Sequence, residues 1–204
     1  LPLECSHLYL AIEGKLAAVI CVEDPLREEA ADAVRELKEA GITKVVMMTG
    51  DSERTAAAIA KRVGVDEYYS EVLPEDKASF VEKEKELGHK VIMIGDGIND
   101  SLALSSASVG IAISDGAAIA REIADVTISA DNLHEIVTLK RLSTALMKRI
   151  HNNYRTIIGI NGGLIALGVT GIIMPTTSAL LHNMSTLTIS LRSMRNLLPK
   201  EEEA

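Results

Sequence analysis

The chain has 204 residues and a formal net charge of −8, enough for one α/β domain of ordinary size with a further element. That acidic balance excludes nucleic acid as the main partner, because gripping a phosphate backbone needs a basic face. With one Phe, four Tyr and no Trp, the core has to be built from Val, Ile, Leu, Ala and Met.

Taken in chain order, Leu8 to Ile12 and Leu16 to Val22 read as a strand pair around Glu13-Gly14. The chain does not open on Met and starts within what reads as this pair, the pattern of a truncated chain. Cys5 and Cys21 show no CxxC spacing and no nearby histidine of a zinc site, and read as buried thiols of a reducing cytosol. Asp24-Pro25 predicts a helix start, with Asp at N-cap and Pro at N1, running to Ala40 and ended by Gly41. Lys44 to Thr49 is a short apolar run suited to a strand buried on both faces. Helices follow over Ser52 to Arg62 and Pro74 to Leu87, closed by Gly64 and Gly88. Val91 to Ile94 predicts a second buried strand, Ser101 to Ser106 a helical turn or two, Val109 to Ile113 a third strand. Ala117 to Ala124 predicts a helix and Val126 to Ile128 a fourth strand. The alternation implies a parallel sheet with helices on both faces, and a ligand site at the carboxyl ends of its strands.

Leu133 to Tyr154 reads as a long helix with basic residues gathering toward its end. From Thr156 to Leu191 there is no Asp, Glu, Lys or Arg over 36 residues. As a single helix this run would extend roughly 54 Å, well beyond a hydrocarbon layer of roughly 30 Å. Pro175 divides it into halves over Thr156–Met174 and Ser178–Leu197, a helical hairpin of near-spanning length. Arg155 precedes it, Arg192, Arg195 and Lys200 follow, and the turn carries no basic residue. The positive-inside rule then places both ends in the cytosol. The competing reading is a helical hairpin buried in a soluble core. Gly159 and Gly163 form a GxxxG pattern suited to helix packing.

Three features fall at predicted strand or helix ends. Thr49-Gly50-Asp51 offers a hydroxyl and a glycine-exposed backbone to phosphoryl oxygens. Lys77, in Pro74-Glu75-Asp76-Lys77, supplies a point charge for a transferring group. In Gly95-Asp96-Gly97-Ile98-Asn99-Asp100, two carboxylates four apart on a glycine turn suit Mg²⁺, which takes one or two carboxylates plus water and phosphate oxygens. Alone, the first is also a polar strand end and Lys77 a solvated helix residue. The third is sharper, since Asp96 and Asp100 are costly charges directly after an apolar strand.

In this order, with Asp24-Pro25-Leu26-Arg27 upstream, the set resembles the phosphorylation domain of P-type ATPases, within the haloacid-dehalogenase-like superfamily. The hairpin ending is similar to that of the heavy-metal-translocating branch. The resemblance implies a haloacid-dehalogenase-like α/β fold followed by a transmembrane hairpin. Residues 1–23 would close the nucleotide-binding domain and 24–131 form the phosphorylation domain. Residues 132–153 would make a connecting helix, 154–198 two membrane helices and 199–204 a cytosolic tail. It implies Mg²⁺ at Asp96 and Asp100 with Asn99 in support, and phosphoryl binding by Thr49 and Gly50. Asp51 would order that loop, Lys77 neutralise the phosphorylated centre, and Asp24 and Arg27 sit at the hinge near nucleotide. For Asp24 a plain helix cap explains the residue equally well.

His182, Ser185 and Thr186 are polar at membrane depth and are candidates for the transported ion, against simple bonding between helices. Related pumps carry an acid beside this position that the chain lacks, which leaves the metal open. The resemblance implies ATP as substrate, a soft or divalent heavy-metal cation, the lipid bilayer and the remainder of a multi-pass cell-membrane pump as partners. The DKTGT nucleophile motif occurs nowhere in the chain, so alone it is expected to form no aspartyl-phosphate. Two rivals stand: a soluble haloacid-dehalogenase-like phosphatase, and a non-catalytic membrane fragment acting only with a partner chain.

Overall fold

The computed structural model describes residues 6–22, 26–95, 98–114, 122–129 and 132–198. It divides into two compact units, Leu1–Val137 and Thr138–Ala204.

The first unit opens with an antiparallel ribbon, β1 (Ser6–Ile12) and β2 (Lys15–Val22), turning through Glu13 and Gly14 at positive φ. Its apolar side chains face water: Leu8, Tyr9, Ile12 and Leu16 are all more than half exposed. This corrects the expectation of buried thiols: Cys21 is free and exposed, on a two-stranded ribbon whose apolar side chains lie largely open to water. Cys5 lies outside the described residues.

Helix α1 spans Ala30–Glu39, burying Ala30 and Ala33. It starts five residues later than Pro25 predicts; Asp24 and Pro25 lie outside the described residues, and Leu26 and Arg27 are not helical. β3 (Val46–Met48) follows, then α2 (Glu53–Val63), closed by Gly64 at φ +78 with its N–H on the Ala60 carbonyl. β4 (Glu67–Tyr69) pairs parallel to β3. α3 (Pro74–Glu86) begins with Pro at N1, and Asp76 Oδ2 accepts the Leu73 N–H at 3.2 Å. β5 (Ile92–Gly95), a 3₁₀ turn (Ile98–Asp100), α4 (Ser101–Ser106), β6 (Val109–Ser114) and β7 (Val126–Ser129) complete the unit. Of the helix expected over Ala117–Ala124, residues 117–121 lie outside the described residues, and Glu122 and Ile123 are helical.

The parallel strands form two sheets, β3-β4 and β5-β6-β7. Both flank one core: Ala78, Val81, Met93, Ala103 and Leu104, with Met48 of β3 packed against it. The prediction that β3 and β5 are buried on both faces is corrected. Val46 to Met48 are half-buried, and Ile92 is 41% exposed beside buried Met93. Each of these strands has one edge with no strand beside it among the described residues.

Helix α5 (His134–Val169) begins where Asn132 Oδ1 accepts the His134 N–H at 2.8 Å, and its first turn buries Ile136 and Val137 in the first unit. The separate connecting and membrane helices predicted here are one continuous helix. In the second unit it turns back through Gly171 into α6 (Pro175–Ser193). Among the described residues no helix is long and apolar enough to cross a membrane. The physical reason lies in composition: α5 begins in a charged stretch, and α6 carries Ser, Thr, His and Asn through its length. The GxxxG glycines Gly159 and Gly163 meet nothing within 4 Å of an added Cβ, so that pattern is not used between α5 and α6.

Candidate functional site

Thr49 ends β3, where its N–H reaches the Tyr69 carbonyl of β4 at 3.0 Å. Its hydroxyl donates to Asp51 Oδ2 at 2.6 Å and accepts the Asp51 N–H at 3.1 Å, closing a tight polar turn around exposed Gly50. The Glu71 N–H bonds the Asp51 carbonyl at 2.9 Å and the Val72 N–H bonds the Thr49 carbonyl at 3.0 Å. The segment entering α3 is thereby pinned to the Thr49 turn, and the Tyr69 and Phe80 rings, 5.1 Å apart, add a second tie between β4 and α3.

On α3, Lys77 donates to Asp100 Oδ1 at 2.8 Å, with side chains only 16% and 10% exposed. Two charges so far out of water are tolerated because each compensates the other. Asp100 folds back over the end of β5: a Cβ placed on Gly95 would lie 2.6 Å from Asp100 Cβ and 2.7 Å from its Oδ2. Gly95 thus belongs to the candidate site through a contact that the spacing did not reveal. Glycine-to-aspartate spacing is legible in sequence, but the fold-back that presses one onto the other is not.

The structure therefore joins Lys77 to Asp100 and Thr49 to Asp51, and links the two pairs through the backbone at Glu71 and Val72. Asn99 is exposed in the 3₁₀ turn. Asp96 and Asp24 lie outside the described residues. Arg27 pairs with Glu29 at 3.8 Å on the surface. Next to the Thr49 turn, Glu53 receives hydroxyl donors from Ser70 at 2.5 Å and Tyr68 at 2.8 Å. These hold its carboxyl below the usual carboxylate range. Glu53 was not singled out from sequence because β4, which brings Tyr68 and Ser70 to it, has no periodic signal.

For magnesium the donor chemistry fits at Asp100. Its carboxylate is a hard oxygen donor, hydrogen-bonded by Lys77 at 2.8 Å, at a strand end where the backbone turns tightly. Among the described residues no three His, Cys, Asp or Glu side chains cluster as a metal centre.

In the second unit, His182 Nδ1 lies 2.9 Å from Asn161 Oδ1 across the hairpin. Ser185 and Thr186 hydroxyls both donate to the His182 carbonyl, at 2.8 and 3.0 Å. Near the ends of the helices, Asn153 Nδ2 donates to Ser193 Oγ at 2.7 Å. Arg149 donates to the carbonyls of Ser193 (3.0 Å), Asn196 (2.8 Å) and Arg195, satisfying the C-terminal end of α6.

Residues 4–108 match the family of haloacid dehalogenase-like hydrolases. The chain belongs to this family. Within this haloacid dehalogenase-like group its homologues are heavy-metal P-type ATPases. It is 37% identical to the zinc-exporting P-type ATPase of Mycobacterium marinum over 93% of this chain and 26% of that protein. It is 44% identical to copper-transporting ATPase 2 of Rhizobium meliloti over 86% of this chain and 21% of that protein. A crystal structure of a zinc-transporting PIB-type ATPase superposes with a TM-score of 0.84 at 31% identity, covering 97% of this chain and 32% of that one. The chain thus spans about a quarter of the length of the curated relatives it matches.

Proposed function

We propose that the chain is the C-terminal part of an ATP-driven, heavy-metal cation-exporting P-type ATPase. It supplies phosphate and magnesium ligation from residues 24–131, and a connecting stretch over 132–153 that runs on within α5 into the first of two membrane helices within 154–198. The carrying observation is the match across 97% of the chain to a zinc-transporting ATPase. A soluble phosphatase accounts only for the segment matched over 4–108. It leaves unexplained a 36-residue uncharged run whose Ile165, Leu180 and Leu187 are more than half exposed.

On this reading Thr49 and Gly50 bind the transferring phosphoryl group, with Asp51 holding the Thr49 hydroxyl in place. Lys77 neutralises developing charge and pairs with Asp100. Asp96 and Asp100 hold magnesium, with Asn99 alongside; when bound, the ion neutralises phosphate oxygens during transfer. Asp24 and Arg27 serve the hinge near nucleotide. His182, Ser185 and Thr186 face the transported cation. The hairpin lies in the cell membrane as two helices among several, which relaxes the demand that each be apolar enough to cross alone. The open faces at Gly159 and Gly163 are where a neighbouring helix packs. The nucleophile, the actuator and the other membrane helices come from the remainder of the pump, and the chain alone forms no phosphoenzyme.

The test is labelling with γ-phosphate-labelled ATP, with the chain alone and with the chain joined to the preceding three-quarters of such a pump, across zinc, cadmium, cobalt, copper and iron. An acid-stable phosphoenzyme that depends on metal, appears only in the joined form and is lost in Lys77→Met supports the assignment. A chain that is monodisperse without detergent and cleaves a model phosphate ester by itself refutes it.

A further inference from the structure

Asn161 was singled out by no sequence motif, yet its side chain meets the His182 ring across the hairpin. Its partner atom is an amide oxygen, which only accepts. An imidazole nitrogen 2.9 Å away must then be the donor. A neutral ring carries a single N–H, so a proton fixed on Nδ1 leaves Nε2 as a bare lone pair.

We infer that Asn161 is the positioning residue of a cation-binding histidine: its amide oxygen holds the His182 proton on Nδ1 and so presents Nε2 as a ligand. The inference rests on the reading of His182 as an ion contact. Metal-binding imidazoles characteristically donate their second N–H to a protein oxygen, which fixes tautomer and ring orientation. The bond crosses from α5 to α6, so the ring is held by the fold and not by its own helix.

The neighbouring donors define the class of cation. On α6, Ser185 and Thr186 follow His182 by three and four residues and share its face, whereas Met184, two residues on, points to the opposite side. Both hydroxyls spend their protons on the His182 carbonyl, and their oxygens keep lone pairs. Both cysteines of the chain, Cys5 and Cys21, precede the hairpin. Imidazole with oxygen donors suits borderline divalent cations of the zinc, cobalt or manganese type over monovalent copper, which favours thiolate and thioether.

The chain, labelled with ¹⁵N-histidine and held in detergent micelles, reports the ring state directly through long-range proton–nitrogen correlations, with His182 assigned by its loss in His182→Gln. The expected result is a protonated Nδ1 and a bare Nε2. Asn161→Leu should invert this toward protonated Nε2, while Asn161→Asp, which retains an acceptor, should keep the wild-type pattern. A proton on Nε2 in the wild type, or a ring indifferent to both substitutions, overturns the assignment. Should Asn161→Leu fail to fold, the Asn161→Asp result alone decides, since loss of the Nδ1 proton there contradicts the inference. Metal-stimulated turnover of the assembled pump that is unchanged in His182→Ala would instead remove the ion-contact reading, while leaving the tautomer as measured.

Discussion

Replacing Gly95 with Ala tests the geometry of the candidate site where its backbone and side chains approach most closely. The new methyl carbon would stand 2.6 Å from Asp100 Cβ and 2.9 Å from Cγ, whereas carbon pairs rest at about 3.5–4.0 Å. Asp100 must therefore withdraw by about 1 Å. It has little room, being 7% exposed, and its 2.8 Å bond to Lys77 would stretch past hydrogen-bonding range. Overpacking of this kind costs about 1–3 kcal/mol, rising toward about 3–5 kcal/mol if the buried pair separates. Gly50→Ala is the control: it has no positive φ and its nearest neighbour, the Val72 carbonyl oxygen, lies at 3.9 Å. That change should stay within about 0.5 kcal/mol. Urea unfolding in mild detergent, followed by far-UV circular dichroism because the chain has no Trp, reads both. With slopes of about 1–3 kcal/mol per molar urea, the midpoint for Gly95→Ala should fall by about 1 M. Adding Lys77→Met to Gly95→Ala should cost less than the separate effects combined, because both strike one contact. Equal midpoints for the two alanine variants, or full additivity with Lys77→Met, would refute the reasoning.

Two further outcomes follow from the charges. Lys77→Met should destabilise the unit by about 3–5 kcal/mol by leaving Asp100 buried and unpaired, and Lys77→Met with Asp100→Leu should recover most of that loss in the same urea assay. Asp66 accepts from Lys38 Nζ and from the Val45 N–H, both at 2.7 Å, and these hold its carboxyl below the usual range. A depressed carboxylate stabilises above its unfolded pKa and loses that contribution as pH falls through its folded value. The melting-temperature gap between wild type and Asp66→Asn should accordingly be full at neutral pH and close below the ordinary aspartate range; a pH-independent gap would contradict this.

The elements that sequence made legible are those with a strong local signal. Gly64 and Gly88 stop α2 and α3 where expected, Pro74 opens α3, and apolar runs before Thr49 and Asp96 give β3 and β5. β4 escaped because Glu67-Tyr68-Tyr69 is three residues without period, a strand by virtue of its pairing with β3. The break expected between a connecting helix and a membrane helix near Tyr154 does not occur, since nothing between His134 and Val169 stops a helix: there is no proline, and Gly159, Gly162 and Gly163 are tolerated inside it. The Thr49–Asp51 turn follows from residue types at a strand end. The Gly95–Asp100 contact and the His182–Asn161 bond do not, because each depends on backbones brought together by the fold.

The open strand edges and the candidate site bear on one another. A parallel sheet is normally covered on both faces, yet β3 and β5 are half-exposed and each lacks a strand neighbour on one edge among the described residues. These are the two strands whose carboxyl ends carry Thr49 and the Gly95–Asp100 contact. On the proposed reading, a segment from the remainder of the pump that pairs with either edge would complete the sheet. Its own carboxyl end would then emerge beside Thr49, Lys77 and Asp100, where the missing nucleophile is required. Burying the half-exposed strands and supplying the attacking carboxylate would be one event, so a chain lacking that segment should be both less stable and inert, and regain both properties together.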